Sequence, residues 1–380
     1  MNYSERYMRV KSIDMVCEGN LSWATSFGTN YIYELNNFDK TVSIIGRLEG
    51  DVQSYSYCAI GKYENKLFFA PKFASDIAVF DIETKKTSYI KLDKDRRGEK
   101  EVFRETLKFI NAITVGDKLF MFGFFYPAIV CLDMATQEVF YVNDWLETVE
   151  TNLQSGDARG YFGKGTYSKD GFIWIPNGCD NSITKVALDT LKSEVLKLSI
   201  DFDGILDFIV DNDKLWLTGQ RKSYGRIVCY NLKTQETVNI SMTEPASAPN
   251  GHYLPQWKLI DYGEYIWLFP YTAHNSYKIN KQTYEVQTLD YVGELTDRYD
   301  EFGELANALM IKQNGNIVYI VTFDGIWIEV DMKGETAKKY EYKAPKDIIM
   351  MEAQMMIQTQ ICFENKIGIE NYLDIVKEMA

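Results

Sequence analysis

The chain has 380 residues, 46% of them hydrophobic and 14% aromatic, and its 54 acidic groups against 41 basic ones leave a formal charge of −13 and a pI near 4.9. Such an acidic balance favours solubility and argues against nucleic-acid or anionic-membrane partners, both of which require a basic face. No apolar stretch reaches transmembrane length, the N-terminus is charged where a signal peptide is apolar, and the six cysteines are scattered without a CxxC pair; the expectation is a reduced, cytoplasmic protein.

Along the chain one pattern recurs seven times. An apolar strand such as Lys66-Leu67-Phe68 or Phe172-Ile173-Trp174 is followed about 14 residues later by an apolar residue and then Asp, Asn or Glu. The first anchors are Leu21, Leu67, Leu119, Phe172, Leu215, Ile266 and Ile317; the second are Glu34, Asp81, Asp133, Asp189, Asn231, Asn280 and Asp331. Strand repeats at this period are the signature of a β-propeller with one four-stranded blade per repeat. The predicted fold is therefore all-β, a seven-bladed β-propeller with a short C-terminal helix, forming one domain over residues 1–380. Its blades fall at about 11–45, 57–91, 109–142, 161–199, 205–241, 257–290 and 306–341, and 342–380 is a C-terminal extension.

Within the third repeat the strands read 110–115, 118–123, 128–133 and 138–141, with turns where Gly, Asp and Asn cluster. First-to-second and third-to-fourth turns are tight and share one rim. The other rim carries the long connections 91–108, 143–160, 241–256 and 290–305, of a length that usually serves function. Segments 99–109, 144–153 (behind an Asn143 cap) and 294–305 read as partly helical. Trp174, Trp216 and Trp267 hold matching second-strand positions, which predicts burial between blades. Beyond a Met-rich stretch at 347–362, Ile369, Leu373, Val376 and Met379 have helical spacing and predict an amphipathic helix packed on the propeller.

No HExxH, GxSxG, phosphate-loop or dinucleotide motif is present. Only two histidines, His252 and His274, occur, which excludes a His-rich metal site by count; no metal and no cofactor are expected. Asp201-Phe202-Asp203-Gly204 resembles the start of a calcium loop but lacks the later ligands. Counting eight residues back from each first anchor gives Ile13, Ala59, Asn111, Lys164, Asp207, Lys258 and Leu309 on the innermost strands. The layer beneath is Met15, Gly61, Ile113, Thr166, Ile209, Ile260 and Ile311.

Four successive blades thus carry polar groups at the axis, and burying them without partners costs several kcal/mol. Two readings stand. One is a hydrated plug of alternating charge, Lys164 with Asp207 and Asp207 with Lys258. The other is a pocket floored by Asn111, Lys164, Asp207 and Lys258 and walled by Tyr126, Arg159, Tyr161, Arg221, Tyr224, Trp257 and His274. Cations beside aromatic planes suit an anionic or hydroxyl-rich ligand, such as a sugar or a peptide carboxylate.

The phrases Lys66-Leu67-Phe68-Phe69 with Phe80-Asp81-Ile82-Glu83-Thr84, and Lys214-Leu215-Trp216-Leu217 with Tyr230-Asn231-Leu232-Lys233-Thr234, resemble the blades of kelch-like and YVTN-like bacterial β-propellers. The resemblance covers about 11–341 and implies fold together with a binding site on one face; the paired glycines of kelch, the Tyr-Val-Thr-Asn tetrad and the Trp-Asp of WD40 repeats are missing. The expected function is a non-enzymatic cytoplasmic binding or scaffold propeller that recognises a peptide, protein or carbohydrate on its long-loop face. The alternative is a propeller lyase or lactonase-like hydrolase using His252 or His274 with Asp207 or Lys164 as acid and base. Oligomeric state is open at this level.

Overall fold

The computed structural model describes residues 6–48, 56–93, 107–149, 160–220, 223, 225–242, 255–293, 295 and 308–358. After a short β1 (Arg6–Met8), seven blades of four antiparallel strands each follow in chain order, six of them as separate four-stranded sheets. Blade 1 holds β2 (Ser12–Glu18), β3 (Leu21–Ser26), β4 (Tyr31–Asn36) and β5 (Thr41–Arg47). Blade 2 holds β6 (Tyr57–Tyr63), β7 (Lys66–Pro71), β8 (Ile77–Asp81) and β9 (Lys86–Ile90). Blade 3 holds β10 (Phe109–Val115), β11 (Lys118–Gly123), β12 (Ile129–Asp133) and β13 (Val139–Val142). Blade 4 holds β14 (Tyr167–Lys169), β15 (Phe172–Pro176), β16 (Ser182–Ala187) and β17 (Ser193–Lys197). Blade 5 holds β18 (Ile205–Asp211), β19 (Lys214–Gly219), β20 (Ile227–Asn231) and β21 (Thr237–Ile240). Blade 6 holds β22 (Trp257–Tyr262), β23 (Tyr265–Pro270), β24 (Tyr277–Asn280) and β25 (Val286–Thr288). Blade 7 holds β26 (Ala308–Asn314), β27 (Ile317–Thr322), β28 (Trp327–Asp331) and β29 (Thr336–Tyr340). The seven-bladed propeller read from the repeats is the observed fold.

Closure uses both ends of the described chain. After β29 the backbone crosses to blade 1 as β30 (Tyr342–Ala344), which lies parallel to β5 through Lys343 and Thr41, and β1 pairs antiparallel with β30. Blade 1 is thereby a six-stranded sheet in the order β1-β30-β5-β4-β3-β2. Trp327 Nε1 donates to Val10 O at 2.8 Å and Arg9 Nε to Glu341 at 2.8 Å, so the seam is pinned by side chains as well. The sequence pattern contains the seven repeats but not this latch, because strands of three residues carry no period. The chain then forms α1 (Lys346–Gln358), in the Met-rich stretch. The helix expected at 367–379 lies outside the described residues. Among the described residues no helix is long and apolar enough to cross a membrane.

Each second strand carries an aromatic residue at one register: Trp23, Phe68, Phe120, Trp174, Trp216, Trp267 and Tyr319, paired with Val16, Gly61, Ile113, Tyr167, Ile209, Ile260 and Lys312 on the first strands. All are buried except Trp174, which is half-buried. These rings fill the space between blades, where large flat side chains remove the most apolar surface from water. The third-to-fourth turns are equally uniform: Asn36, Asp81, Asp133, Asn231, Asn280 and Asp331 each accept backbone N–H groups two or three residues on. The fifth turn residue, Lys40, Lys85, Gln137, Leu191, Gln235, Tyr284 or Glu335, has φ between 51° and 62°. In blade 4 the turn opens on Ala187, which has no side-chain acceptor.

Five anchors shift from the sequence reading, three first anchors by one residue and two second anchors by two. Glu18 pairs with Leu21, Lys169 with Phe172 and Asn314 with Ile317, so in blades 1, 4 and 7 the first inward residue is Ser22, Ile173 or Val318, not Leu21, Phe172 or Ile317. The second anchors Glu34 and Asp189 give way to Asn36 and Ala187. The first-to-second turns are all two residues long; counting from the first apolar residue fails where the turn-closing residue is itself apolar, as Leu21, Phe172 and Ile317 are, in place of the Lys or Tyr of the other blades. Helix was expected at 144–153; the described part, 144–149, forms turns instead, with Trp145 buried and its Nε1 bonded to Val142 O. Segments 99–106 and most of 294–305 lie outside the described residues.

Candidate functional site

An innermost strand has no neighbour on its axial side, so its outward N–H and C=O groups need partners there. The axial ring supplies them, with corrected membership. Blade 1 contributes Asp14, opposite Thr25, where counting had placed Ile13; blade 7 contributes Met310, paired with Val321, in place of Leu309. Ala59, Asn111, Asp207 and Lys258 hold the positions expected of them. In the layer beneath, Val16, Tyr167 and Lys312 stand where counting had placed Met15, Thr166 and Ile311.

Asp14 and Asp207 occupy equivalent places in blades 1 and 5, and both are buried. Each takes a backbone N–H from the inner strand of the next blade: Ile60 N donates to Asp14 Oδ2 at 3.0 Å, and Leu259 N to Asp207 Oδ2 at 2.9 Å. Each is neutralised by a lysine: Lys312 Nζ lies 2.7 Å from Asp14 Oδ1, and Lys258 Nζ lies 3.1 Å from Asp207 Oδ2. Phe208 N completes the Asp207 set at 2.8 Å. In blade 4 the inner chain bulges; Lys164 N and Gly165 N both donate to Leu206 O of blade 5, and Asn111 Nδ2 donates to Lys164 O from blade 3. Gly165 is required there, since a Cβ would overlap Asp207 Oδ1. Asn111 and Asp207 are therefore stitches between blades, which the sequence could not distinguish from ligand-facing groups.

Above the ring lies a second one. Four residues beyond each interblade aromatic stand Phe27, Lys72, Phe124, Gly178, Gln220, Tyr271 and Phe323. The first six donate their N–H to Lys11, Ser56, Lys108, Tyr161, Gly204 and Gln256 at the start of the inner strands, at 2.6–2.9 Å. Apart from Gly178, these residues are partly exposed. They form an upper mouth of aromatic and basic side chains. Phe27 and Phe323 meet edge to face with centroids 5.9 Å apart. Lys11 Nζ lies 5.6 Å from the Phe323 centroid. Lys164 Nζ lies 4.3 Å from the Tyr271 centroid, a reach from blade 4 to blade 6 past blade 5.

Burial pushes the Tyr271 phenol well up, and the Asp207 and Asp14 carboxylates, from blades on either side, add to the effect. The ring therefore keeps its proton as a donor. Burial likewise draws the Lys72 ammonium down, and the neighbouring Cys58 thiol is pushed up to about 12. Phe27, Lys72, Phe124, Tyr271 and Phe323 escaped the sequence reading. Their signal, a spacing of four from each second-strand aromatic, emerges once three anchors are corrected.

The remaining candidates divide. His274 is half-buried in the β23–β24 connection that also carries Tyr271. Tyr126 is 2% exposed, gives its OH to Asp93 O at 2.8 Å and packs against Phe109 with centroids 5.2 Å apart. Trp257 is 1% exposed, with Nε1 donating to Asn275 O at 3.0 Å. Both are wedges between blades and not walls of the mouth. Tyr161 contacts Trp145 edge to face at 5.4 Å. Arg159, Arg221, Tyr224 and His252 lie outside the described residues. Among the described residues no group of three or more His, Cys, Asp and Glu side chains is placed to hold a metal ion.

No family model matches the sequence, and no curated protein matches it. Solved structures do share its fold. A computationally designed protein, Ika8, aligns with a TM-score of 0.54 at 11% identity over 88% of each chain. PorZ, a surface component essential to type-IX secretion in Porphyromonas gingivalis, aligns with a TM-score of 0.52 at 11% identity over 89% of this chain and 39% of its own, so this chain spans well under half its length. BamB from Moraxella catarrhalis aligns with a TM-score of 0.50 at 12% identity over 89% of this chain and 91% of its own. At such identities the likeness to bacterial β-propellers is one of fold alone.

Proposed function

We propose that the protein is a non-enzymatic binding or scaffold propeller of the cytoplasm that holds a peptide, protein or glycan-related partner by an acidic or hydroxyl-rich group at the upper axial mouth. The observation that carries this reading is the Lys164 ammonium held over the face of Tyr271, from blade 4 to blade 6, beside a rim of aromatic and lysine side chains in a chain whose net charge is −13. Aromatic planes beside cations recognise carboxylates and sugar faces together. The hydrolase or lyase reading has less support, because Asp207 spends both oxygens on two backbone N–H groups and an ammonium, an arrangement suited to holding blades together.

Lys258 neutralises Asp207, so removing it disturbs the fold; the clean test is Lys164→Ala with Tyr271→Phe. Wild-type protein and this variant are applied to arrays of acidic oligosaccharides and of peptides ending in free carboxylates. Binding by the wild type should weaken by about 1.5–3 kcal/mol in the variant, the worth of charge-assisted hydrogen bonds. Lys281→Ala on the opposite rim should leave it unchanged. Equal binding by wild type and the double variant would refute the proposal.

A further inference from the structure

Independently of any ligand, the C-terminal helix carries a buried acid at the upper rim. Glu352 of α1 is 6% exposed, and the Thr29 hydroxyl in the β3–β4 connection donates to its carboxylate at 3.3–3.4 Å. Among the described residues the charged and titratable groups facing it are Tyr31 and Tyr33 of β4 and Lys11 at the entry to β2. Arg47 at the end of β5 reaches the same cluster through Tyr31. Around this point Ile348, Ile349, Met350 and Met355 pack onto the seam cluster with Met8, Tyr31, Tyr33 and Tyr342. Lys11 is also the side chain that lies over Phe323 at the mouth.

We infer that α1 is a pH-dependent strap, docked on blade 1 while Glu352 is protonated and loosened when Glu352 ionises. Burial raises the carboxyl to about 7 from an ordinary 4.5, against the opposing pull of Tyr33, Thr29 and Lys11. Its value in the docked state exceeds its value when exposed, so the proton favours docking. The contribution is complete below about pH 4.5 and is lost as pH rises through 7. From these two values the docking equilibrium should fall roughly 70-fold between pH 5 and pH 8.

The test is hydrogen–deuterium exchange of α1 in the full chain at pH 5 and pH 8, corrected for intrinsic exchange rates. In the wild type, protection of α1 should drop by about that factor, while β19 and β23 stay protected. Glu352→Gln, which mimics the protonated acid in shape, should keep α1 protected at both pH values. A second variant, Glu352→Leu, removes the charge with an apolar side chain and should likewise abolish the pH dependence. A wild-type α1 whose protection is the same at both pH values overturns the inference. So does a Glu352→Gln helix that loosens with pH as the wild type does.

Discussion

At the scale of single residues, the axial acids show how one side-chain type serves opposite readings. Asp207 is fully buried and its value lies in geometry: it caps an inner-strand N–H of blade 6 while Lys258 removes the cost of its charge. Asp207→Ala leaves the Leu259 N–H without an acceptor and the ammonium without a counter-ion, and should lower stability by about 3–5 kcal/mol. Asp207→Asn keeps an acceptor and should cost less, about 1–3 kcal/mol. Chemical denaturation of the three proteins measures both differences; equal midpoints for Asp207→Ala and wild type would show that the blades do not depend on this stitch. A sequence shows the acid and its neighbours, but which backbone group it meets is set by a blade about 50 residues away.

At the scale of elements, the third-to-fourth hairpins are the most legible part of the chain. An Asp or Asn followed four residues later by a left-handed residue recurs because the side-chain oxygen replaces water on two turn N–H groups. Asn231→Ala, which removes the acceptor used by Lys233 N and Thr234 N, should destabilise by about 0.5–2 kcal/mol. Gln235→Gly should be neutral or stabilising, since Gln235 adopts φ 59° at a cost that glycine avoids. Thermal unfolding of the two variants separates these signs. The starts of the second strands read less well: where the turn-closing residue is itself apolar, as Leu21, Phe172 and Ile317 are, the anchor is set one residue early and the counted inner-strand position falls on the other face, and this is how Asp14, Gly165 and Met310 escaped the count.

At the scale of the molecule, a ring of blades exposes no inner faces only if the last blade is tied to the first. Here the tie is the pair β30 and β1 on the outer edge of blade 1, reinforced by Trp327 and Arg9. Removing residues 1–8 deletes β1 and the buried Met8 and leaves β30 as an open edge. Stability should fall by about 2–4 kcal/mol from lost ladder bonds and apolar burial. The bared edge should also promote association, visible as a larger mass in light scattering. An unchanged melting temperature and mass would mean that side-chain packing between blades 7 and 1 closes the ring alone.

The sequence by itself determined the number of blades, the four-strand repeat, the two rims and the burial of Trp216 and Trp267, because periodic burial and turn chemistry are local and write themselves into spacing. It also marked Asn111, Asp207 and Lys258 as axial, and in blade 4 it marked Lys164, one residue short of the ring position Gly165. Tertiary structure decided what those groups do. Interblade hydrogen bonds claim Asn111 and Asp207, the Tyr271 ring meets Lys164 from two blades away, and Tyr126 and Trp257 turn inward as wedges. The latch of β1 on β30 and the buried Glu352 belong to this second class, since each joins residues more than 300 positions apart and no local pattern records such a meeting.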